Sequence, residues 1–599
     1  MFTEYIMKHP VADDLLFPVK CPFPAMADRE AWQLKDAVLR EQLNEMTAHW
    51  AGKPYPVLTA GNYLAYTTTG SRQAFEKPYF DRRRKLCAAL IGACVSGNTA
   101  ELDEVIDGIW CICEETSWVI SAHNEPGRFG KQPLPDDRTP RIDLFCAQTG
   151  MILALCAAMC GHELDAVTPL ICDRIGRCLE ERILIPFEQT EDHWWMGVIR
   201  KDLNNWTPWI ISNVMLIACL RIRDDKTRLA SLLERACVML DRYLDIMPED
   251  GGCDEGMGYW NLAGGMLLDC AELLEYVTGG KMRFRDDRKF INILSYPRHA
   301  HLGNGWCVNF ADCDARPEIC GERIARAGEM TGMPELISFG AAHAMTPVQY
   351  LSDTPQLWRL LNCVFHRLPD SAEPEPETDT WLPDLQLRIR TVNGVTLVSK
   401  AGHNGENHNH NDVGSFMIYA DGEPEIVDAG NMTYTAKTFS SERYTLWNTR
   451  GMYHNIPVIG GAEQQPGTGR RARNVCRLPD GMELDMALCY PEETGTAECR
   501  RRLTVTPEGA VTVRDSIRTE TAQPVEWVFM TRHEPEITAD AVLIGKLKLL
   551  PGQPFTALSE EIPVTDGRMA RSFPGKLWRL TVTDVPALSH NREIHFVRR

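Results

Sequence analysis

The sequence predicts an α+β multidomain protein, with an N-terminal (α/α) toroid followed by a C-terminal antiparallel β-sandwich. Three observations lead to this fold class. The chain has 599 residues, more than one hydrophobic core usually organises. From about residue 29 to 365, apolar residues recur every three or four positions, as on the buried faces of packed helices. Beyond residue 380, short stretches alternate apolar and polar residues and are rich in β-branched side chains, which is typical of strands.

The helical half is predicted to be a series of antiparallel helix pairs. Its loops contain Gly, Pro, Asp and Asn, which end helices and form turns. Serial helix pairs fit either a closed toroid or an open solenoid, and the lack of a repeat at a fixed period favours the toroid. The predicted helices cover residues 31–50, 82–96, 100–115, 144–160, 164–184, 205–221, 226–244 and 262–278.

An acidic, proline-rich stretch at residues 370–380 is predicted to link the two domains. The helical toroid is therefore expected at residues 1–369 and the β-sandwich at residues 381–599. Short strands separated by turns are the pattern of an antiparallel sandwich. Strands are predicted at residues 387–392, 396–400, 502–506, 510–514 and 577–582.

The composition excludes several classes of partner. The formal net charge of −19 argues against nucleic acid and against an anionic membrane surface. We expect no apolar run that reaches the ~20 residues needed to cross a bilayer. The N-terminus lacks the pattern of an export signal, so the 21 cysteines are interpreted as buried thiols of a cytoplasmic protein. A homo-oligomer is compatible with the sequence.

The most unusual stretch of the chain carries several histidines in front of a predicted hairpin. His408 and His410 are two positions apart, so their side chains point the same way on an extended backbone. Asp421-Gly422 predicts a tight turn, which brings Asp428 back to the end where the histidines enter. His454 follows in a later loop. Two imidazoles and one carboxylate predict a divalent metal site, most naturally zinc; the alternative is a polar loop of hydrogen-bonded histidines.

Residues 193–209 are rich in tryptophan and contain the adjacent Asn204 and Asn205. Indole rings stack on sugar faces, and amides bind hydroxyl or carboxylate groups, so this loop suits a carbohydrate cleft. The alternative is that an asparagine caps the next helix and that the tryptophans belong to the core.

A second loop, residues 250–258, contains four glycines and leaves Tyr259 at the start of a helix. A tyrosine there either makes a structural hydrogen bond or acts as a proton donor and acceptor. Trp118, His123 and Asn124 form a third polar and aromatic cluster, which we expect to line the same cleft.

Five motifs together resemble the heparinase II/III-like polysaccharide lyases, and the resemblance covers nearly the whole chain. The motifs of the histidine-rich hairpin are quite specific to that family, whereas the asparagine pair and the glycine-rich loop are less so. The family's architecture, a helical toroid followed by a β-sandwich, agrees with the fold class predicted above. The motifs are residues 204–206, 250–259, 408–416, 427–430 and 453–455.

The resemblance implies a lyase that cleaves a uronic-acid glycan, glycosaminoglycan-like or alginate-like, by β-elimination and leaves a 4,5-unsaturated uronate end. It implies that Asn205 neutralises the uronate carboxylate, that Tyr259 acts as general base or acid, and that His408 assists from the sandwich side. Residues expected to contact the substrate are Trp118, His123, Asn124, His193, Asn204, Trp206, Glu255, Tyr434, Arg443 and Tyr444.

The resemblance also implies a divalent metal, taken as zinc, held by His410, Asp428 and His454. Such an ion would tie the loop that carries Arg443 and Tyr444 against the hairpin. We therefore expect the metal to have a structural role.

The sequence departs from the family at Trp206, where several members have a histidine. A tryptophan cannot accept or relay a proton. Either Tyr259 carries out both proton transfers, or His408 or His193 takes the missing role.

Three other functions are compatible with parts of the pattern. A glycoside hydrolase on an α/α toroid would need paired carboxylates, for which Asp202, Asp254 and Glu255 are candidates. A zinc hydrolase would keep an open coordination position on the metal. A non-catalytic glycan-binding protein would need the tryptophans but no tyrosine hydroxyl.

Overall fold

The computed structural model describes residues 1–352, 354–368 and 371–599, and its N-terminal half is helical. A two-stranded hairpin, β1 His301–Gly303 and β2 Trp306–Cys307, interrupts the helices. The helices before this hairpin are α1 Phe2–Lys8, α2 Val11–Asp14, α3 Ala37–Trp50, α4 Ala60–Thr69, α5 Gln73–Ser96, α6 Leu102–Cys113, α7 Leu144–Val167, α8 Leu170–Leu179, α9 Ile185–Gln189, α10 Trp206–Arg221, α11 Lys226–Leu244, α12 Met257–Trp260, α13 Gly264–Val277 and α14 Arg288–Ala300. After it come α15 Gly321–Thr331, α16 Pro334–Ala342 and α17 Leu357–Phe365.

Helices α7 and α10 form the centre of the helical domain. Both carry buried residues on all faces and pack against each other, and α10 also packs against α11 and α13. By length and composition α7 could cross a membrane, contrary to the expectation from the sequence. However, 83% of its most apolar window is buried inside the protein. Burial on all sides accounts for the apolar composition of this helix.

Most predicted helices lie where the sequence placed them, but α3 begins at Ala37 rather than at residue 31, α7 continues to Val167 beyond residue 160, and two others also differ. Helix α5 begins at Gln73 rather than at residue 82, although Pro78 lies inside it. Pro78 cannot donate to the carbonyl of Ala74, and the Asn62 amide donates to that oxygen instead at 3.1 Å. The predicted single helix 164–184 is wrong, because α7 ends and α8 begins within it.

The C-terminal half is an antiparallel β-domain, which confirms the predicted fold class. Its strands are β3 Asp379–Leu382, β4 Leu387–Val392, β5 Val395–Lys400, β6 Phe416–Ala420, β7 Glu423–Ile426, β8 Pro457–Ile459, β9 Arg473–Leu478, β10 Gly481–Asp485, β11 Thr496–Val505, β12 Val511–Thr531, β13 Glu536–Ile537, β14 Val542–Ile544, β15 Leu547–Leu550, β16 Thr556–Val564 and β17 Gly575–Arg598. The main order is β13-β14-β15-β17-β12-β7-β6-β5-β4-β3, and β11, β10 and β9 continue from β12.

The long strands β12 and β17 organise this domain. They pair antiparallel from Val511 opposite Phe596 to Thr531 opposite Trp578. Alternate residues in the first part of β12 are buried and exposed, which places one face of the strand against a core. That core joins apolar side chains from both layers, including Phe416 on β6. Strands with one buried face thus build the sandwich.

The predicted hairpin is formed by β6 and β7. Asp421 and Gly422 have φ values of 52° and 74°, the left-handed conformation that a two-residue turn of this kind requires. Strand β7 then leads into Asp428 and Gly430. A Cβ on Gly430 would lie 2.4 Å from the Cys313 carbonyl oxygen, so glycine allows this loop to approach the helical domain.

Polar contacts lock the two domains together around their junction. The Asp250 carboxylate accepts from the backbone N–H groups of Asp384 and Leu385 at 2.7 and 3.1 Å. The Asp384 carboxylate in turn accepts from the N–H groups of Glu249 and Asp250. The predicted domain boundary at residues 369 and 370 lies outside the described residues.

Candidate active site

A cleft of about 840 Å³ lies at the junction of the two domains. The helical domain contributes Asn205 and Tyr259 to its lining, and the sandwich contributes His408 and Tyr434. The structure therefore brings the three predicted catalytic residues into one cleft, although they are far apart in the sequence.

Asn204 and Asn205 have different roles: one stabilises the start of the next helix and the other faces the cleft. The Asn204 side-chain oxygen accepts from the Trp206 N–H at 3.0 Å, so this residue stabilises the turn that leads into α10. Asn205 lies at the N-terminus of the same helix and lines the cleft. Its amide has no hydrogen-bond partner among the described residues. Because the helix N-terminus also favours negative charge, Asn205 is well placed to bind a carboxylate.

Tyr259, Tyr434 and His408 form a hydrogen-bonded chain across the domain junction. The two tyrosine hydroxyls are hydrogen-bonded to each other, and the Tyr434 hydroxyl lies 3.3 Å from His408 Nδ1. The Tyr259 and His408 rings also contact, with centroids 4.6 Å apart. Burial, together with the carboxylates of Asp312 and Glu255, raises the pKa of Tyr259 well above its ordinary value. Its hydroxyl therefore stays protonated and can donate a proton.

Asp312, a buried carboxylate of the helical domain, was missed by the sequence analysis. Its Oδ2 lies 3.0 Å from His408 Nδ1, and its Oδ1 lies 3.1 Å from His410 Nε2 and 2.8 Å from Arg443 Nη2. Burial opposes ionisation, but the hydrogen bonds from both histidines and the Arg443 charge hold the pKa of Asp312 well below its usual range. Asp312 is far from the hairpin in the sequence, so no motif spacing connects it with His408.

The same contacts affect His408. Burial disfavours its charged form, but the hydrogen bond to Asp312 and the carboxylate of Glu255 outweigh burial and raise the pKa of His408. His408 also has a φ of 54°, which is unusual for a residue other than glycine. Strong local contacts hold it in that conformation.

Arg443 and Tyr444, predicted to contact substrate, line the cleft but use their polar groups to hold this loop. Arg443 donates to the backbone carbonyls of His408 at 2.9 Å and of Asn409 at 3.0 Å. The Tyr444 hydroxyl donates to the Asn409 side-chain oxygen at 2.8 Å. Both residues therefore fix the position of His408.

His410, Asp428 and His454 lie together at the base of the hairpin. One ligand atom from each lies within 4.8 Å of the others, and all three side chains are buried. His454 Nδ1 lies 2.9 Å from the Asp428 carboxylate. His410 Nδ1 is buried without a hydrogen-bond partner among the described residues, which is costly unless something else satisfies it. Two imidazoles and one carboxylate with an unpartnered ring nitrogen fit a zinc-like ion.

Three residues predicted to contact substrate do not line the cleft. Trp118 is buried in the helical core, and its indole N–H donates to the Ile112 carbonyl at 2.9 Å. The Asn124 amide donates to the Gln132 carbonyl and stabilises a surface loop. His193 is fully buried, with its ring stacked on Trp195 at 5.3 Å. These predictions were wrong because aromatic and polar residues that are close in sequence to cleft-lining residues can pack in the core beneath the cleft instead.

Glu255 lines a second, smaller cavity of about 270 Å³ instead of the substrate cleft. Its Oε1 has no hydrogen-bond partner among the described residues. Burial raises the pKa of Glu255 to about 7, although the nearby His408 opposes this shift. Glu255 therefore acts on the site through the charge of His408 rather than through direct substrate contact.

Trp206 and His123 both line the cleft, as predicted. The Trp206 ring lies 5.0 Å from that of Trp194 and 4.6 Å from that of His123, measured between centroids. His123 Nδ1 lies 2.9 Å from the Asp143 carboxylate. This aromatic wall can stack on sugar rings next to Asn205.

The cleft is rich in arginine although the whole chain is acidic. The carboxylates in its lining are those of Asp314 and Glu318. Arginines from both domains outnumber them, and each of these arginines is ion-paired with a carboxylate of the protein. The sequence analysis missed Arg72, Arg568 and Arg571 because they come from distant parts of the chain.

Residues 376–573 match the family described as heparinase II/III-like, C-terminal. This part of the chain is therefore similar to the C-terminal domain of that family. It contains His408 and Tyr434 of the cleft and the whole cluster of His410, Asp428 and His454. No curated protein sequence matches the chain.

Solved structures of polysaccharide lyases share the fold of this chain. A structure of heparinase III superposes with a TM-score of 0.61 at 9% identity, over 98% of this chain and 93% of that one. A heparan sulfate lyase from Pedobacter heparinus gives 0.58 at 13% identity, over 99% and 86%. The chondroitin AC lyase of Streptomyces coelicolor A3 gives 0.52 at 13% identity, over 100% and 83%. The shared fold and the matched domain confirm the resemblance.

Proposed function

We propose that the protein is a lyase that cleaves a uronic-acid-containing glycan by β-elimination and leaves a 4,5-unsaturated uronate end. The observation that carries the proposal is the meeting of Asn205, Tyr259 and His408 in one cleft between the domains. The structures that share the fold include lyases of heparan sulfate and chondroitin sulfate, so a glycosaminoglycan-like uronan is the first substrate class to examine.

The difficult step is removal of the proton at C5, because the resulting charge develops beside the uronate carboxylate. Donors that neutralise the carboxylate lower this barrier, and one such donor contributes about 3 kcal/mol. The free amide of Asn205 at the N-terminus of α10 supplies such a donor.

The leaving glycosidic oxygen needs a proton. Tyr259 keeps its hydroxyl protonated and is hydrogen-bonded to Tyr434, which contacts His408. These hydrogen bonds allow Tyr259 to donate its proton to the leaving oxygen and to regain a proton through Tyr434 and His408. His408 thus assists from the sandwich wall, as the resemblance implied.

We propose that His410, Asp428 and His454 hold a structural divalent ion, most naturally zinc. The bound ion would supply a cross-link between the hairpin and the loop before His454. Full burial of the three side chains separates them from the substrate cleft, which argues against a metal-dependent hydrolase.

The structure disfavours a glycoside hydrolase. Such an enzyme needs two carboxyl groups on either side of the scissile bond. Asp254 and Glu255 border the smaller cavity rather than the substrate cleft, and the Asp314 carboxylate is paired with Arg568 at 2.9 Å. The described lining of the cleft therefore offers no free carboxylate pair.

Incubation with heparan sulfate, chondroitin sulfate and alginate tests the proposal. Elimination creates a conjugated C4–C5 double bond, so ultraviolet absorbance should rise as chains are cleaved. Mass spectrometry provides the decisive comparison. Products that gain one water across the broken bond would show hydrolysis and contradict the lyase assignment.

A further inference from the structure

We propose that His123 is the base that removes the C5 proton in the elimination reaction. This inference rests on the function proposed above. It concerns a residue that was expected only to contact substrate, and it assigns that residue a chemical step.

The first reason is that Tyr259 is suited to be the acid. Its hydroxyl stays protonated in its buried, carboxylate-rich surroundings and is engaged by the Tyr434 hydroxyl. A protonated phenol donates to the leaving oxygen but cannot accept the C5 proton. The base must therefore be another group in the same cleft.

The second reason is the geometry of His123. The imidazole is stacked on Phe145, with centroids 5.5 Å apart, and its centroid lies 4.6 Å from that of the Trp206 ring. Nδ1 lies 2.9 Å from an Asp143 oxygen, whereas Nε2 has no partner among the described residues and is not enclosed by protein. A carboxylate on Nδ1 keeps the proton there and leaves the lone pair on Nε2, which can accept a proton from the cleft.

Asp143 is itself rigidly held. It caps α7, and its other oxygen accepts from the N–H groups of Phe145 and Cys146 at 3.1 and 2.7 Å. The carboxylate is buried, so it can orient His123 and stabilise the imidazolium that forms. His123 and Asp143 thus form a carboxylate–histidine dyad on the helical wall.

The third reason is position. His123 contacts Trp206, the residue directly after Asn205, so the imidazole lies on the wall where the substrate carboxylate is proposed to bind. The other imidazoles considered for this role are less suitable. His193 lies outside the cleft, and His408 is bonded to Asp312 and lies against Tyr259 on the sandwich wall.

The proposed step is balanced. The C5–H bond breaks and its proton passes to His123 Nε2, while its electron pair forms the C4=C5 double bond. The bond from C4 to the glycosidic oxygen breaks, and that oxygen takes the proton of the Tyr259 hydroxyl. Solvent then removes the proton from His123 and restores Tyr259.

The test compares His123→Ala and Asp143→Asn with wild type on whichever of heparan sulfate, chondroitin sulfate and alginate the wild type cleaves fastest. His162→Gln, on the exposed surface of α7, is the matched histidine control. We expect losses of about 10²- to 10⁴-fold in kcat for the first two variants and none for the control. Asn remains a good helix cap, so Asp143→Asn should keep its thermal stability.

Two further measurements separate a base from a structural residue. The pH profile of kcat/KM should have a rising limb in wild type that is absent in His123→Ala. Added imidazole should restore the activity of His123→Ala at least tenfold. A His123→Ala enzyme with more than one third of wild-type activity overturns the inference. So does an inactive variant that keeps the pH limb and is not rescued.

The outcomes also separate this inference from the proposed function. If the wild type forms unsaturated ends and His123→Ala does so equally fast, the lyase assignment stands and the role of His123 is wrong. If wild-type products contain an added water, the lyase assignment fails and this inference fails with it.

Discussion

Replacing Asp312 should damage stability and activity together. The Asp312 carboxylate is buried and lies within 3.1 Å of two imidazoles and one guanidinium, while its N–H donates to the His408 carbonyl. Asp312→Ala would leave the Arg443 charge without its carboxylate partner. Removal of one partner from a buried ionic network costs about 3–5 kcal/mol. We expect a loss of that size in the free energy of unfolding.

The same change should lower turnover by about 10- to 100-fold, because Asp312 orients His408 without contacting the substrate. Urea unfolding followed by tryptophan fluorescence measures the first effect, and initial rates of unsaturated product measure the second. Asp314→Asn is the matched stability control. Asp314 pairs with Arg568 across the same junction but is more exposed, so its loss should cost about 1 kcal/mol or less. Equal stability of Asp312→Ala and wild type would refute the reasoning.

Variants at the catalytic residues, at Glu255 and at the proposed metal ligands test separate parts of the site. Tyr259→Phe should abolish turnover with folding intact, and Asn205→Ala should lower kcat by about 10²- to 10³-fold; near-normal rates in Tyr259→Phe would make the hydroxyl structural. Glu255→Gln should flatten the pH dependence of stability. Because the pKa of Glu255 is raised from 4.5 to about 7 in the folded protein, the wild type loses up to about 3 kcal/mol of its free energy of unfolding as pH rises through that window. Thermal unfolding at several pH values should show this loss only in wild type. Elemental analysis should find one zinc-like ion in wild type and in His408→Ala but not in His410→Ala, and equal metal content in all three would exclude the proposed ligand set.

The sequence predicted those features that depend on local pattern. The hairpin at Asp421-Gly422 follows from a turn that needs two left-handed residues, and it correctly placed Asp428 beside His454. Tyr259 was placed in the cleft because its motif is continuous in the chain. The change from helical to strand periodicity likewise gave the two halves of the fold.

The features that were missed depend on tertiary contacts. Asp312 approaches His408 only when the domains meet, and neither local spacing nor charge marks it in the sequence. His193 lies two residues before Trp195 in a loop with mixed character, and packing alone decided that both are buried. Burial of a single side chain is a property of the whole fold, so a pattern within one loop cannot determine it.

The sequence after residue 370 has the composition of a flexible linker, but in the structure this segment packs against the helical domain. Glu377 lies 2.7 Å from His299 Nδ1, and Glu373 contacts both His301 and His343. Just beyond this stretch, the side chains of Asp250 and Asp384 each accept a hydrogen bond from the backbone N–H of the other residue, and Asp384 also accepts from the Glu249 N–H. A protease that nicked the chain here would therefore leave two fragments that stay bound and co-purify.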